Sequence, residues 1–249
     1  MKRAVIATSA LLVLASAIGR PGHASDAALT PMPPALETRL ALSALPVPLR
    51  DAATVHVLDP ASGYRVARAG SSGVECLVQR TAWELAELRD DLYIPLCYDA
   101  AGARTYLRVI IDVAALRAQG LDARALEARI EQRYADGTYR APRKSGVSYM
   151  IAPVMRTVGP PDMSVHTMSM PHFMFYAPGV GNADLGARPD LAEPASLQYP
   201  FVDRQGNDAQ SYIIQMVGES EKAAILAEHR GLLRELCTHR EVLCLARER

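Results

Sequence analysis

Three methionines and two histidines alternate along one short segment of the chain. In the stretch VHTMSMPHFMFY they fall at every second position, as His166, Met168, Met170, His172 and Met174. If the segment is an extended strand, successive side chains point to opposite faces of the sheet, so all five share one face. Thioether sulfur and imidazole nitrogen are ligands that suit soft Cu(I). The spacing therefore indicates a Cu(I) site on a strand.

Ordinary core packing explains the same stripe, because flexible thioethers fill irregular gaps between other side chains. Pro171 has no backbone N–H to give to a sheet ladder, so the strand is expected to lie at an edge, to bulge or to be interrupted there. A break at Pro171 would also turn His172 off the shared face. The sequence leaves both interpretations open and suggests no other cofactor.

Four cysteines form the second group of reactive residues: Cys76, Cys97, Cys237 and Cys244. Disulfides are their expected state in an exported protein, and proximity favours Cys76 with Cys97 and Cys237 with Cys244 among three possible pairings. The second pair requires a helix to end between its cysteines, because on a continuous helix they would lie about 10 Å apart. A four-cysteine zinc site is the alternative, but the C-x-x-C spacing that is typical of it is absent.

Hydrolytic chemistry has no motif in this sequence. No G-x-S-x-G elbow is present, and the segment Gly70–Gly73, with two serines between two glycines, is typical of a turn. Glu84, Glu87, Asp90 and Asp91 could supply a carboxylate pair for glycoside chemistry, although a solvated helix end also explains them. A hydrolase with a site assembled from scattered residues therefore remains one hypothesis.

Short extended runs must position most of these residues. TVHVL, YRVAR and VECLVQR, separated by turns from Thr54 onward, predict an antiparallel meander, and IPLCY with RTYLRVIID predicts a further strand pair. Strands are also predicted within 147–155, 165–176 and 211–217.

Helices are predicted in separate runs. Asp122 as a cap and a stripe of Leu126, Ile130 and Tyr134 indicate one helix. Residues 220–237 predict an amphipathic C-terminal helix with His229 on its apolar face, as a core histidine or, alternatively, a general base. Because strands and helices are segregated, the sequence predicts an α+β fold with a mostly antiparallel sheet and a few packed helices.

The chain divides into three predicted regions. Residues 1–24 are expected to be a signal peptide, because Lys2 and Arg3 precede an apolar run that is shorter than the roughly 20 residues of a membrane-spanning helix. A membrane anchor is the alternative. Residues 25–50 are a Pro-rich N-terminal arm with a helical turn or two, and residues 51–249 form a single α+β domain.

Composition excludes some partners. The chain has 27 basic and 27 acidic residues and only 6% aromatic residues, so neither a basic patch nor a stacking platform for nucleic acid is expected. Cleavage after residue 24 removes Lys2, Arg3 and Arg20 and no acid, so the net charge becomes minus three.

The sequence thus predicts an exported protein, periplasmic or extracellular, that is soluble and has no nucleic-acid or membrane partner after cleavage. A binding or structural role is the first hypothesis, with the sheet and the loop at 177–200 as the contact surface for a small ligand or protein partner. Cu(I) binding is the second hypothesis and hydrolysis the third.

Overall fold

The computed structural model describes residues 27–246, and the predicted signal peptide lies outside them. Its strands are β1 (Thr54–Asp59), β2 (Gly63–Arg68), β3 (Glu75–Gln79), β4 (Ile94–Tyr98), β5 (Val147–Met150), β6 (Met155–Gly159), β7 (Ser164–Met168), β8 (His172–Tyr176), β9 (Phe201–Arg204) and β10 (Ser211–Met216). Its helices are α1 (Pro34–Ser43), α2 (Val47–Arg50), α3 (Ala100–Ala103), α4 (Tyr106–Ala118), α5 (Ala123–Ala135), α6 (Asn182–Leu185), α7 (Glu219–Glu228) and α8 (Arg230–His239).

An eight-stranded sheet organises the molecule, in the order β2-β1-β3-β4-β5-β8-β10-β9, and β6 and β7 form a separate two-stranded hairpin. All neighbouring strands are antiparallel except β1 and β3. The predicted α+β fold with a mostly antiparallel sheet is confirmed.

The predicted meander of the first three strands is wrong, because β3 pairs in parallel with β1 rather than with β2. The turn after β2 explains the difference. The backbone N–H groups of Ser71 and Ser72 both donate to the carbonyl of Ala52, at 2.9 and 3.0 Å, which brings the chain back to the start of β1. β3 therefore begins beside the beginning of β1.

The predicted strand RTYLRVIID is also wrong, because these residues begin α4. Their β-branched residues favour a strand locally. Buried positions nevertheless recur at helical spacing, as in Tyr106, Val109, Ile110 and Val113, so a helix buries this segment against the sheet and α5. Packing overrides local preference here.

One face of the sheet is covered by α1 and α8. Leu40 and Ala41 on α1, Leu236 on α8 and both central cysteines are fully buried in this core. The Pro-rich arm thus contains a ten-residue helix rather than an extended segment with a turn or two. Pro34 at the first helical position and Leu36 and Leu40, one turn apart, explain why the helix starts and packs there.

The opposite face is covered by α4, and α5 packs on α4 and on the segment around Trp83. Asp122 caps α5 by accepting the backbone N–H of Ala125 at 2.9 Å, and the predicted stripe Leu126, Ile130 and Tyr134 is buried. Trp83 packs beside Tyr134 with ring centroids 6.0 Å apart. It stands in a 3₁₀ turn, Trp83–Leu85, that leads to the rim of the sheet.

The predicted C-terminal helix is divided at His229 into α7 and α8. Leu232 and Leu236 of α8 reach the core, whereas α7 has no fully buried residue. His229 Nε2 lies 3.3 Å from the Arg50 guanidinium and 3.4 Å from Glu228, and burial lowers its pKa. His229 thus joins a local charged cluster instead of an apolar face.

Both predicted disulfides are present. Cys76 and Cys97 face each other directly in the register of β3 and β4. Cys237 and Cys244 close a turn after α8, which ends at His239 as their pairing requires. Across residues 27–246, no helix combines the length and apolar character needed to cross a bilayer.

Candidate functional site

A cavity of about 340 Å³ opens between the sheet and the β6–β7 hairpin. The hairpin is an excursion in the connection between the neighbouring strands β5 and β8. Side chains from β4, β5, β8 and β10 form the floor of the cavity, and Met155, Thr157 and Val158 of β6 form one wall. The order of the strands therefore creates the site from segments that are distant in sequence.

Methionine dominates the lining of this cavity. Five of the chain's nine methionines contribute to it: Met150, Met155, Met163, Met170 and Met174. Met150, Met155 and Met174 are buried, while Met163, at the tip of the hairpin, is half exposed. Thioethers normally fill irregular gaps in a core, but here they surround an open space.

His172 is a buried polar residue at the floor of the cavity, with only 3% of its surface exposed. Its Nδ1 lies 2.7 Å from the Met170 carbonyl oxygen. A carbonyl only accepts, so Nδ1 carries the proton and Nε2 has a free lone pair. Within the described part of the chain, the His172 side chain makes no second hydrogen bond. Burial lowers the pKa of His172, which favours the neutral imidazole.

The predicted stripe is only partly assembled at this site. Met170, His172 and Met174 line the cavity, whereas His166 and Met168 do not. Met168 lies on β7 and packs against the neighbouring apolar core. The chain passes from the hairpin to the large sheet between Met168 and His172, so the five side chains do not share one strand face.

Two carboxyl groups stand together at the mouth of the cavity, Glu84 from the 3₁₀ turn and Asp203 from β9. Both residues are exposed. Desolvation raises the pKa of Glu84 to about 7, and the charge of Asp203 acts in the same direction. Desolvation also raises the pKa of Asp203, against the opposing effect of Arg204. Proton binding can thus change the charge of the mouth near neutral pH.

The other predicted carboxylates are held in ion pairs away from the cavity. Glu87 pairs with Arg89 at 3.2 Å, and Asp91 with the same guanidinium at 2.8 Å. Asp90 lies 3.1 Å from Arg80. These three acids therefore serve local structure, and Glu84 is the member of the predicted group that lines the cavity.

His166, Asp162 and Ser164 cluster on the hairpin but do not form a catalytic triad. Asp162 Oδ1 and Ser164 Oγ lie 2.6 and 2.9 Å from the same nitrogen, His166 Nε2. A triad needs the acid on one ring nitrogen and the nucleophile on the other. The hydrogen bond to His166 instead lowers the pKa of Asp162 to about 2, as in an ordinary surface pair.

Comparison with known proteins adds no relative: no family model matches the chain, and no curated protein or solved structure is significantly similar to it. The chemistry of the cavity is therefore the basis for assigning a function. In the part of the chain that the structure describes, no three His, Cys, Asp or Glu side chains cluster closely enough to hold a metal ion. A metal in this cavity would need thioether ligands.

Met150, Met155 and Met163 were not predicted as site residues, because they lie outside the alternating segment. A signal for them was nevertheless present, since six of the nine methionines fall within residues 150–174. The partnership of Glu84 and Asp203 had no such signal, because it depends on how β9 approaches the 3₁₀ turn.

Proposed function

We propose that the protein is an exported binding protein and that the methionine-lined cavity takes a small ligand. The observation that supports this proposal is the cavity itself. This open cavity of about 340 Å³ falls within the size range of ligand pockets.

The lining has the composition of a binding pocket. Apolar side chains predominate, and the polar residues of the lining include Gln79, Ser148 and His172 beside the groups at the mouth. Ser148 and His172 are both almost fully buried. An apolar pocket with a small number of placed polar groups binds a ligand by desolvation and orients it by hydrogen bonds.

Export is supported by two features of the chain. The segment 1–24 has the composition of a signal peptide. The two disulfides account for all four cysteines, and such bonds persist in oxidising compartments. A periplasmic or extracellular binding protein fits both features.

Binding is favoured over hydrolysis by the surroundings of His172. Nucleophilic catalysis needs a histidine that an acid orients and that contacts a nucleophile. His172 is oriented by a backbone carbonyl instead. The carboxyl groups of Glu84 and Asp203 stand at the mouth, on other elements, and are not hydrogen-bonded to it.

A neutral apolar probe, N-phenyl-1-naphthylamine, tests the proposal through its fluorescence. Ala82 lines the cavity from an extended segment, so Ala82→Trp should fill the space and weaken probe binding by about tenfold or more. Ala67→Trp places the same side chain on exposed β2 and should leave binding unchanged. Equal affinity of all three proteins for the probe would refute a cavity ligand.

A further inference from the structure

We propose that the ligand of the cavity is Cu(I), bound by His172 Nε2 and by the thioethers of Met150, Met170 and Met174. This inference rests on the proposed binding function and names the chemical class of the ligand. The sequence predicted a site on one strand, whereas this site takes its ligands from β5, from β8 and from the segment before β8.

Strand register places the thioethers around the imidazole. Met150 on β5 is directly opposite His172 on β8, and Met216 on β10 is directly opposite it on the other side. Side chains at directly opposed positions have Cβ atoms about 5 Å apart. Met174 follows on the same face of β8, two residues along. Met150, Met174 and Met216 are therefore attached next to His172 in the sheet, and Met170 precedes it by two residues, but Met216 does not line the cavity.

The state of His172 suits a metal ligand. Imidazoles that bind metals usually donate the other ring N–H to a carbonyl or carboxylate, which fixes the tautomer. His172 makes this bond to the Met170 carbonyl. Its Nε2 then keeps a free lone pair, which no hydrogen bond within residues 27–246 uses and which retains some access to solvent. This nitrogen is available to a metal ion.

The available donors select the metal. Thiolates are excluded, since the described residues contain no free cysteine. Harder ions such as Zn²⁺, Ca²⁺ and Cu²⁺ prefer sets of imidazole, carboxylate and other oxygen ligands, and no three-residue set of this type occurs among residues 27–246. One imidazole with several thioethers is the donor set that soft Cu(I) prefers.

Anaerobic competition against the chromophoric chelator bicinchoninate tests the inference on the signal-cleaved protein. The wild type should retain one Cu(I) per chain. Met150→Leu with Met174→Leu conserves side-chain volume while it removes two sulfur ligands, so affinity should fall by about tenfold or more. The matched control is Met32→Leu with Met168→Leu, which changes two methionines outside the cavity and should leave affinity unchanged.

X-ray absorption of the copper-loaded protein provides a readout that packing changes would not mimic. The wild type should show sulfur and imidazole scattering, and His172→Phe should lose the imidazole contribution while circular dichroism confirms its fold. Equal Cu(I) affinity of the cavity and control variants would overturn the inference, as would a failure to compete with the chelator. If Cu(I) does not bind but the apolar probe still binds in the cavity, only the Cu(I) inference is refuted. If neither binds, the proposed binding function is refuted as well.

Discussion

A buried carboxyl group on α1 should make the free energy of unfolding depend on pH. Glu37 is only 2% exposed, and its Oε1 accepts the backbone N–H of Leu58 at 2.9 Å. This N–H lacks a partner in β3, because β3 pairs with β1 only at Thr54 and Val55. Burial raises the pKa of Glu37 from 4.5 to about 7, although the Leu58 N–H and the charge of Arg80 oppose the rise.

The size of this pKa shift gives the free-energy cost of ionising Glu37 in the folded state. Each pKa unit corresponds to about 1.4 kcal/mol, so ionisation of Glu37 costs the folded state about 3 kcal/mol. Between pH 4.5 and about 7 the folded chain binds the proton and the unfolded chain does not. Stability from this residue is therefore full below pH 4.5 and is lost as the pH rises to about 7.

Glu37→Gln tests the reasoning because the amide oxygen can still accept the Leu58 N–H but cannot ionise. We expect the variant to gain about 3 kcal/mol over the wild type between pH 4.5 and 8, measured by guanidinium unfolding with the disulfides intact. Subtracting the unfolding free energies of the two proteins at each pH removes the contributions of other titratable groups. Glu131→Gln, on the exposed face of α5, is the control. The account would be refuted if the difference in unfolding free energy between Glu37→Gln and the wild type did not change with pH. It would also be refuted if the wild type were the more stable protein at high pH.

Three further predictions concern the framework around the site. Replacing Cys76 and Cys97 by alanine should cost about 3 kcal/mol in denaturant unfolding, because the bond closes a loop between two central strands. Arg80→Met should cost about 3 kcal/mol by the same measurement, since Arg80 is 2% exposed and its loss removes the guanidinium that donates to the carbonyls of Leu92 and Thr30 and pairs with Asp90. His166→Ala should change neither the melting temperature nor Cu(I) affinity, and a tenfold weaker Cu(I) affinity would return His166 to the site.

Features with local causes were predictable from the sequence. The helix after Asp122 carries its own cap and apolar stripe, and both disulfides join cysteines that are near each other in the chain. The strands β1, β4 and β10 are short apolar runs bounded by turn or breaker residues, and they were predicted close to their observed bounds.

Features that depend on distant contacts were not predictable. The segment that begins α4 has the same β-branched character as a strand, and only its burial against the sheet and α5 makes it a helix. The place of β3 depends on hydrogen bonds from Ser71 and Ser72 to Ala52. The cavity likewise exists because β5 and β8 are neighbours while the hairpin between them folds aside.

A fluorescent side chain, Trp83, lies beside the mouth of the cavity. Trp83 is the single tryptophan of the chain, and it directly precedes Glu84 at the mouth. Its indole is buried beside Tyr134 and does not itself line the cavity, so we expect an occupant to affect it through Glu84 and the 3₁₀ turn. Intrinsic tryptophan emission of the unlabelled wild type therefore reports from the rim of this one site, without interference from indoles elsewhere.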